Sequence, residues 1–211
     1  MENVSLDVSD LKFDRVLQTE GTHYGILTGN TRIVFIKTGL GGNEFGREDK
    51  YLKMACRLRK RYGCSVIVAS NPDDRQDHVA RDIQAIEQYA EQVGMDTQQV
   101  LFFGNSNGCI KGLAMANAGM HFEKMVLVNM PLMINFHKTK RYLSDLSQTE
   151  IIAVYGERDP SYSYLPFLEG KAQHLCVLRV LHADHNFSGM LQEYLELSDL
   201  LMERICEESY E

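Results

Sequence analysis

Val100-Leu101-Phe102-Phe103-Gly104-Asn105-Ser106-Asn107-Gly108 reads as a buried strand running into a G-x-S-x-G turn. A serine at the tip of a sharp strand-to-helix turn takes a strained backbone. Only small residues two positions to either side avoid a clash there. Gly104 and Gly108 supply those positions. The residues that follow, Cys109 to Ala118, read as a helix in which Gly112, Ala114, Ala116 and Ala118 allow close packing on a sheet. At ordinary glycine and serine frequencies the five-residue pattern arises by chance in roughly one chain of this size in fifteen to twenty. The strand before it and the helix after it therefore carry the weight. The plain alternative is a tight Gly-rich turn with a solvent-facing serine.

Outward from this segment, short apolar runs alternate with helical patterns. Ile33 to Ile36, Val66 to Val68, Met125 to Val128 and Ile151 to Val154 are continuous, which suits strands covered on both faces of a parallel sheet. A last run, Leu175 to Leu181, is broken by Arg179 and reads as a sheet edge. Val79, Ile83, Ile86, Ala90 and Val93 line one face of a helix, with Asp73, Asp74 and Asp77 at or before its first turn and Gly94 at its C-terminal cap. Met190, Tyr194, Leu197, Leu201 and Ile205 form a later apolar stripe. Phe13 to Gln18 and Tyr24 to Leu27 read as an antiparallel hairpin around Gly21. Strands separated regularly by helices predict an α/β fold, a doubly wound, mostly parallel sheet with helices on both faces, entered through that hairpin.

The chain has 211 residues and a net charge of −7, with 44% hydrophobic and 24% charged residues. That composition suits one globular domain over residues 1–211 and argues against extended disorder. The acidic balance disfavours a nucleic-acid partner, which needs clustered Lys and Arg. No apolar run approaches the roughly 20 residues of a membrane span, so no membrane partner is expected. The acidic start MENVSLDVSDLKFD lacks the basic and apolar pattern of a signal peptide, so a cytoplasmic location is expected. The five cysteines are odd in number, scattered and without a CxxC pair, and read as reduced thiols.

A nucleophilic serine needs a base, and the base an orienting acid. After the strand Ile151 to Val154 comes Tyr155-Gly156-Glu157-Arg158-Asp159, and after Leu175 to Leu181 comes His182-Ala183-Asp184-His185-Asn186-Phe187. Both arrive at C-terminal strand ends, where a doubly wound sheet gathers its ligands. Taken together, Gly104 to Gly108, Gly156 to Asp159 and Ala183 to Phe187 resemble the nucleophile elbow, acid turn and histidine loop of the α/β-hydrolases. The likeness runs over nearly the whole chain. It implies Ser106 as nucleophile, His185 as general base and Asp159 as acid. Glu157 is the competing acid, His182 reads as a packed or surface imidazole, and Asp184 as a turn former.

The resemblance also implies an oxyanion hole built from the amide after the nucleophile, Asn107, and one from Lys37-Thr38-Gly39-Leu40-Gly41-Gly42-Asn43, assigned to Leu40. The family commonly has His-Gly where this chain has Thr38-Gly39. The same loop begins a G-x-G-x-x-G pattern, but Glu44 at its third position opposes a phosphate and no P-loop Lys-Ser/Thr pair follows. The histidines form no helical metal-ligand pair, so neither a metal nor another cofactor is expected.

The resemblance also implies a cap between the strand Met125 to Val128 and the next one; residues 129–150 leave room there only for a loop and about one helix, and hence for an open site. Leu40, Met130, Leu132, Met133 and Phe187 are its expected apolar, substrate-binding lining. Within the cap, His137-Lys138-Thr139-Lys140-Arg141 is either a solvated helix face or a greeting for an anionic substrate. The basic run Arg57 to Arg61 is expected to complement a helix C-terminus. The function expected is serine hydrolysis of a small carboxylic ester or thioester (the ester-bond hydrolases, EC 3.1), with a small molecule as partner. The alternative is a non-catalytic binding or regulatory protein of the same fold. Nothing in the sequence bears on the oligomeric state.

Overall fold

The computed structural model describes residues 11–74, 76–146, 148–168 and 174–203. Ile205 of the late apolar stripe and Cys206 lie outside them. Eight strands form one sheet: β1 (Arg15–Thr19), β2 (Thr22–Leu27), β3 (Ile33–Lys37), β4 (Ser65–Ala69), β5 (Leu101–Asn105), β6 (Lys124–Val128), β7 (Glu150–Gly156) and β8 (Leu175–Val180). Their order is β1-β2-β4-β3-β5-β6-β7-β8. β1 and β2 pair antiparallel, β2 pairs antiparallel with β4, and every later pairing is parallel. At the hairpin Thr19 pairs with Thr22, so Glu20 and Gly21 form a two-residue loop. Both have positive φ, 43° and 85°, as the type I′ turn that suits twisted strands requires.

The helices are α1 (Lys50–Tyr62), α2 (Val79–Val93), α3 (Asn107–Asn117), α4 (Leu132–Asp145) and α5 (Leu191–Glu196). Alternating side chains of the strands other than the exposed β1 feed two separate cores. Phe35 and Phe102 join Ile86, Leu113 and Leu143 of α2, α3 and α4 on one face. Val34, Ile36, Leu101 and Phe103 join Leu52, Leu58 and Tyr194 of α1 and α5 on the other. Both faces are thus covered, which is why the strands read as continuous apolar runs.

Two local readings change. Arg57 and Arg61 both grip Asp199, at 2.5 and 2.7 Å, and Arg59 pairs with Asp14, so this run ties α1 to the segments before β1 and after α5 as well as following the helix dipole. Lys37, which closes the apolar run of β3, is fully buried and pairs with Asp82 at 2.7 Å. Its ammonium also donates to the Ser70 carbonyl at 2.8 Å. Burial lowers the Lys37 pKa, and the Asp82 carboxylate works against that shift. Among the described residues, no helix is long and apolar enough to cross a membrane.

Candidate active site

Ser106 sits between β5 and α3 with φ 51° and ψ −122°, a region that costs a side-chain-bearing residue about 1–3 kcal/mol. The surroundings hold it there. Its N–H donates to the Val128 carbonyl at 2.8 Å, and its carbonyl accepts from the Cys109 N–H at 3.0 Å. Gly108 explains the glycine after the serine. A Cβ there would lie 2.3 Å from the Lys37 carbonyl oxygen and 2.5 Å from that of Thr38. The first turn of α3 thus presses on the end of β3, bringing the elbow and the Thr38–Gly42 loop together.

Asp159 follows β7 and His185 follows β8, and adjacent strands place both next to β6 and β5. The His185 Nε2 lies 3.0 Å from the Ser106 Oγ, and its Nδ1 lies 2.5 Å from the Asp159 Oδ2. An ionised carboxylate only accepts, so Nδ1 carries the proton and Nε2 is left to accept from the serine. Asp159 is only 5% exposed, and its Oδ1 accepts from the Ser161 N–H at 2.7 Å.

Glu157 points elsewhere. Its carboxylate accepts the His182 N–H at 2.9 Å and lies 3.4 Å from the His182 Nδ1, with both side chains exposed. Asp184 forms the turn read from the sequence: its Oδ1 accepts from the N–H groups of Asn186 and Ser188, each at 2.9 Å. Those bonds hold the Asp184 carboxyl below the usual carboxylate range.

Two residues that sequence reasoning passed over organise the site. Asn129, at the end of β6, is fully buried with φ 49°. Its Nδ2 donates to the carbonyls of Asp184 and His185, and its Oδ1 accepts the Gly156 N–H. It therefore joins the histidine loop to the acid turn. Asn71, after β4, does the same for the other half. Its Nδ2 donates to the Thr38 carbonyl at 3.1 Å and to the Asn107 Oδ1 at 3.2 Å. Its carbonyl accepts the Gly41 N–H at 2.7 Å, and its N–H donates to Gly42 at 2.9 Å. Their sequence signal was slight: an asparagine one or two residues after a buried strand.

Thr38, standing where the resemblance has histidine, donates its hydroxyl to the Gly42 carbonyl and closes the loop on itself. Gly39 lies against the Ser106 Cβ, and its N–H faces the buried Tyr51 hydroxyl. Burial pushes the Tyr51 phenol up to about 12. The Thr38, Gly41 and Gly42 amides all carry backbone bonds. The Leu40 amide carries none among the described residues.

The expected apolar lining is corrected. Met130 and Leu132 have no exposed surface and pack in the core on the α2–α4 face, and Phe187 is buried against Tyr194 with ring centroids 5.3 Å apart. Only Leu40 and Met133 of that set are exposed. The cleft that opens beside Asn107 and Leu40 is mixed, lined among others by Pro72 and Ile110 as well as by Gln76, Lys111, Asn135 and Lys138. Within the expected cap segment, Leu132–Asp145 form one helix, α4, with a kink at Asn135 (φ −128°). Among the described residues, no three His, Cys, Asp or Glu side chains gather as metal ligands would.

No protein-family model matches the chain, and no curated protein matches it. Solved structures do. Est1E from Butyrivibrio proteoclasticus superposes with a TM-score of 0.70 at 12% identity, covering 89% of this chain and 96% of that one. An alpha-beta serine hydrolase homologue from Coxiella burnetii gives 0.65 at 15% identity, covering 90% and 98%. A serine hydrolase without a lid from Xanthomonas campestris gives 0.63 at 17% identity, covering 89% and 93%. Likeness across nine-tenths of the chain, on a sheet of this order, answers the question of architecture: the chain has the α/β-hydrolase fold.

Proposed function

We propose that the chain is a serine hydrolase that cleaves a small carboxylic ester or thioester. The observation that carries this reading is the hydrogen-bonded row of Ser106, His185 and Asp159. The Ser106 Oγ attacks the substrate carbonyl while the His185 Nε2 takes its proton. The Asp159 carboxylate holds the Nδ1–H tautomer and stabilises the imidazolium that forms. His185 then gives the proton to the leaving alcohol or thiol, and water, activated by the same imidazole, releases the acid from the acyl-enzyme.

Charge developing on the carbonyl oxygen falls to the Asn107 amide, which as the first residue of α3 has no partner within its helix, and to the Leu40 amide. Positioned proton transfer contributes about 10²–10⁴ in rate, and each oxyanion donor about 10²–10³. Two similar structures support acyl chemistry: one is described as ferulic acid bound to Est1E, another as a thioesterase domain from the curacin biosynthetic pathway. The short cap over residues 129–150 fits an open site.

The test is hydrolysis of p-nitrophenyl acetate together with labelling by a fluorophosphonate. Hydrolysis lost in Ser106→Ala and an adduct on Ser106 are the expected results. Full activity in Ser106→Ala would overturn the assignment. A folded protein with neither adduct nor turnover would favour a binding role.

A further inference from the structure

The sequence places a basic cluster on the cap without saying what it faces. In the structure only Lys138 of that cluster lines the cleft that opens at Leu40 and at Asn107, the residue after Ser106. The cleft holds about 250 Å³, below the roughly 300–1,000 Å³ of pockets for drug-sized ligands. It runs from Leu40 and Asn107 to Asn135, Lys138 and Lys111, with Asp73 on its wall.

None of the histidine loop lines this cleft. His185 must stand beside the atom that leaves, because it delivers the proton there. The alcohol or thiol half of a substrate therefore belongs on the His185 side, and the acyl half belongs in this cleft.

The charges in the cleft are unequal in availability. Lys111 lies 3.5 Å from the exposed carboxylate of Asp77. Lys138 has no carboxylate partner among the described residues; its ammonium rests 5.6 Å from the Tyr142 ring centroid. Asn107 and Asn135 line the same cleft, the Asn107 Oδ1 already accepting from the Asn71 Nδ2. An alkyl acyl chain could rest on Leu40, Pro72 and Ile110, which also line the cleft, but only a carboxylate would pair with the Lys138 ammonium. A second negative charge would meet Asp73.

On the hydrolase reading above, we infer that the acyl group carries one terminal carboxylate, so that the substrate is the half-ester of a short dicarboxylic acid, held at that end by Lys138. The test compares the p-nitrophenyl half-ester of succinic acid with p-nitrophenyl butyrate at low ionic strength. For an exposed cation the expected preference in kcat/KM is roughly two- to fivefold for the half-ester. It should disappear in Lys138→Gln and reverse in Lys138→Glu, while Lys140→Gln keeps it. Equal use of both esters, or a preference that survives Lys138→Glu, overturns the inference and leaves the hydrolase reading standing.

If no ester is turned over and Ser106 takes no fluorophosphonate, that reading falls, and the cleft is tested separately. The Ser106→Ala protein is titrated by NMR with monomethyl glutarate and with methyl pentanoate. Binding of the anion alone, abolished by Lys138→Glu, sustains a carboxylate site; equal or absent binding overturns it.

Discussion

Asn129 holds the backbone of His185: its side-chain amide donates to the His185 carbonyl at 3.0 Å while its carbonyl oxygen accepts the Gly156 N–H at 2.9 Å. One buried side chain thus fixes the distance between the loop that bears the imidazole and the turn that leads to Asp159. Asn129→Ala leaves a buried N–H and two carbonyls without this partner, at about 1–3 kcal/mol for each group left unsatisfied. It also places alanine at positive φ, at a further cost of about 1–2 kcal/mol. Urea unfolding should show a loss of at least about 2 kcal/mol. At temperatures where the variant stays folded, kcat should fall while fluorophosphonate still labels Ser106 slowly. Unchanged stability would remove Asn129 from this role.

Asp159 and Glu157 were rival acids in the sequence, two residues apart in one turn. Their partners now separate them: Asp159 faces His185, and Glu157 faces the exposed His182. Asp159→Asn keeps the shape but removes the charge that selects the tautomer, so kcat should drop by roughly three to four orders of magnitude. Glu157→Gln should stay within about threefold of the wild type. Ester hydrolysis by the two variants, measured side by side, decides it. Equal losses would mean that the turn, and not the carboxylate, matters.

The strands and the three loops were legible because each depends on residues adjacent in sequence. Continuous runs such as Val34-Phe35-Ile36 report two covered faces, and Gly104 to Gly108 reports the elbow through its own local strain. The network that aligns the loops was not legible. Asn71 meets Asn107 only because β4, β3 and β5 lie side by side, and Asn129 meets Gly156 only because β6 neighbours β7. Apolarity misled at the strand ends for a related reason. Met130 and Leu132 are apolar because they enter the core beside Tyr155, whose hydroxyl donates to the Met130 carbonyl. Hydrophobicity says that a side chain avoids water; it does not say on which side of the sheet edge it does so.

Lys50 begins α1 with its ammonium 4.3 Å from the Tyr194 ring centroid and 5.0 Å from that of Tyr51. Burial lowers its pKa to about 8. The unfolded chain holds the same proton up to about pH 10.4. Below pH 8 both states are protonated and the cost of burying the charge is present in full. Between pH 8 and about 10.4 the folded state has released the proton while the unfolded state keeps it, so stability from this group rises with pH. Urea midpoints of the wild type and Lys50→Met at pH 7 and pH 9.8 isolate the effect, since the buried tyrosines are common to both. The wild type should gain on the variant at the higher pH; a constant difference would sink the argument.

Asn71 makes the sharpest claim on catalysis because it touches no reacting atom in the mechanism proposed. Four hydrogen bonds tie it to Thr38, Gly41, Gly42 and Asn107, that is, to both segments whose amides are assigned to the oxyanion. Those amides need their position most when the carbonyl oxygen becomes negative, so loosening them weakens the transition state more than the bound substrate. Asn71→Ala should therefore lower kcat by roughly ten- to a hundredfold, short of the loss of a whole donor, with KM changed by less than about threefold. Asn71→Asp keeps the acceptor geometry but sets a carboxylate against the Thr38 carbonyl and the Asn107 Oδ1, and should be no better. Inhibition by a short boronic acid, which draws on the same two amides in its tetrahedral form, should weaken in parallel with kcat. A variant that loses only folding stability, with kcat and boronate affinity intact in the molecules that remain folded, would reduce Asn71 to a structural bolt.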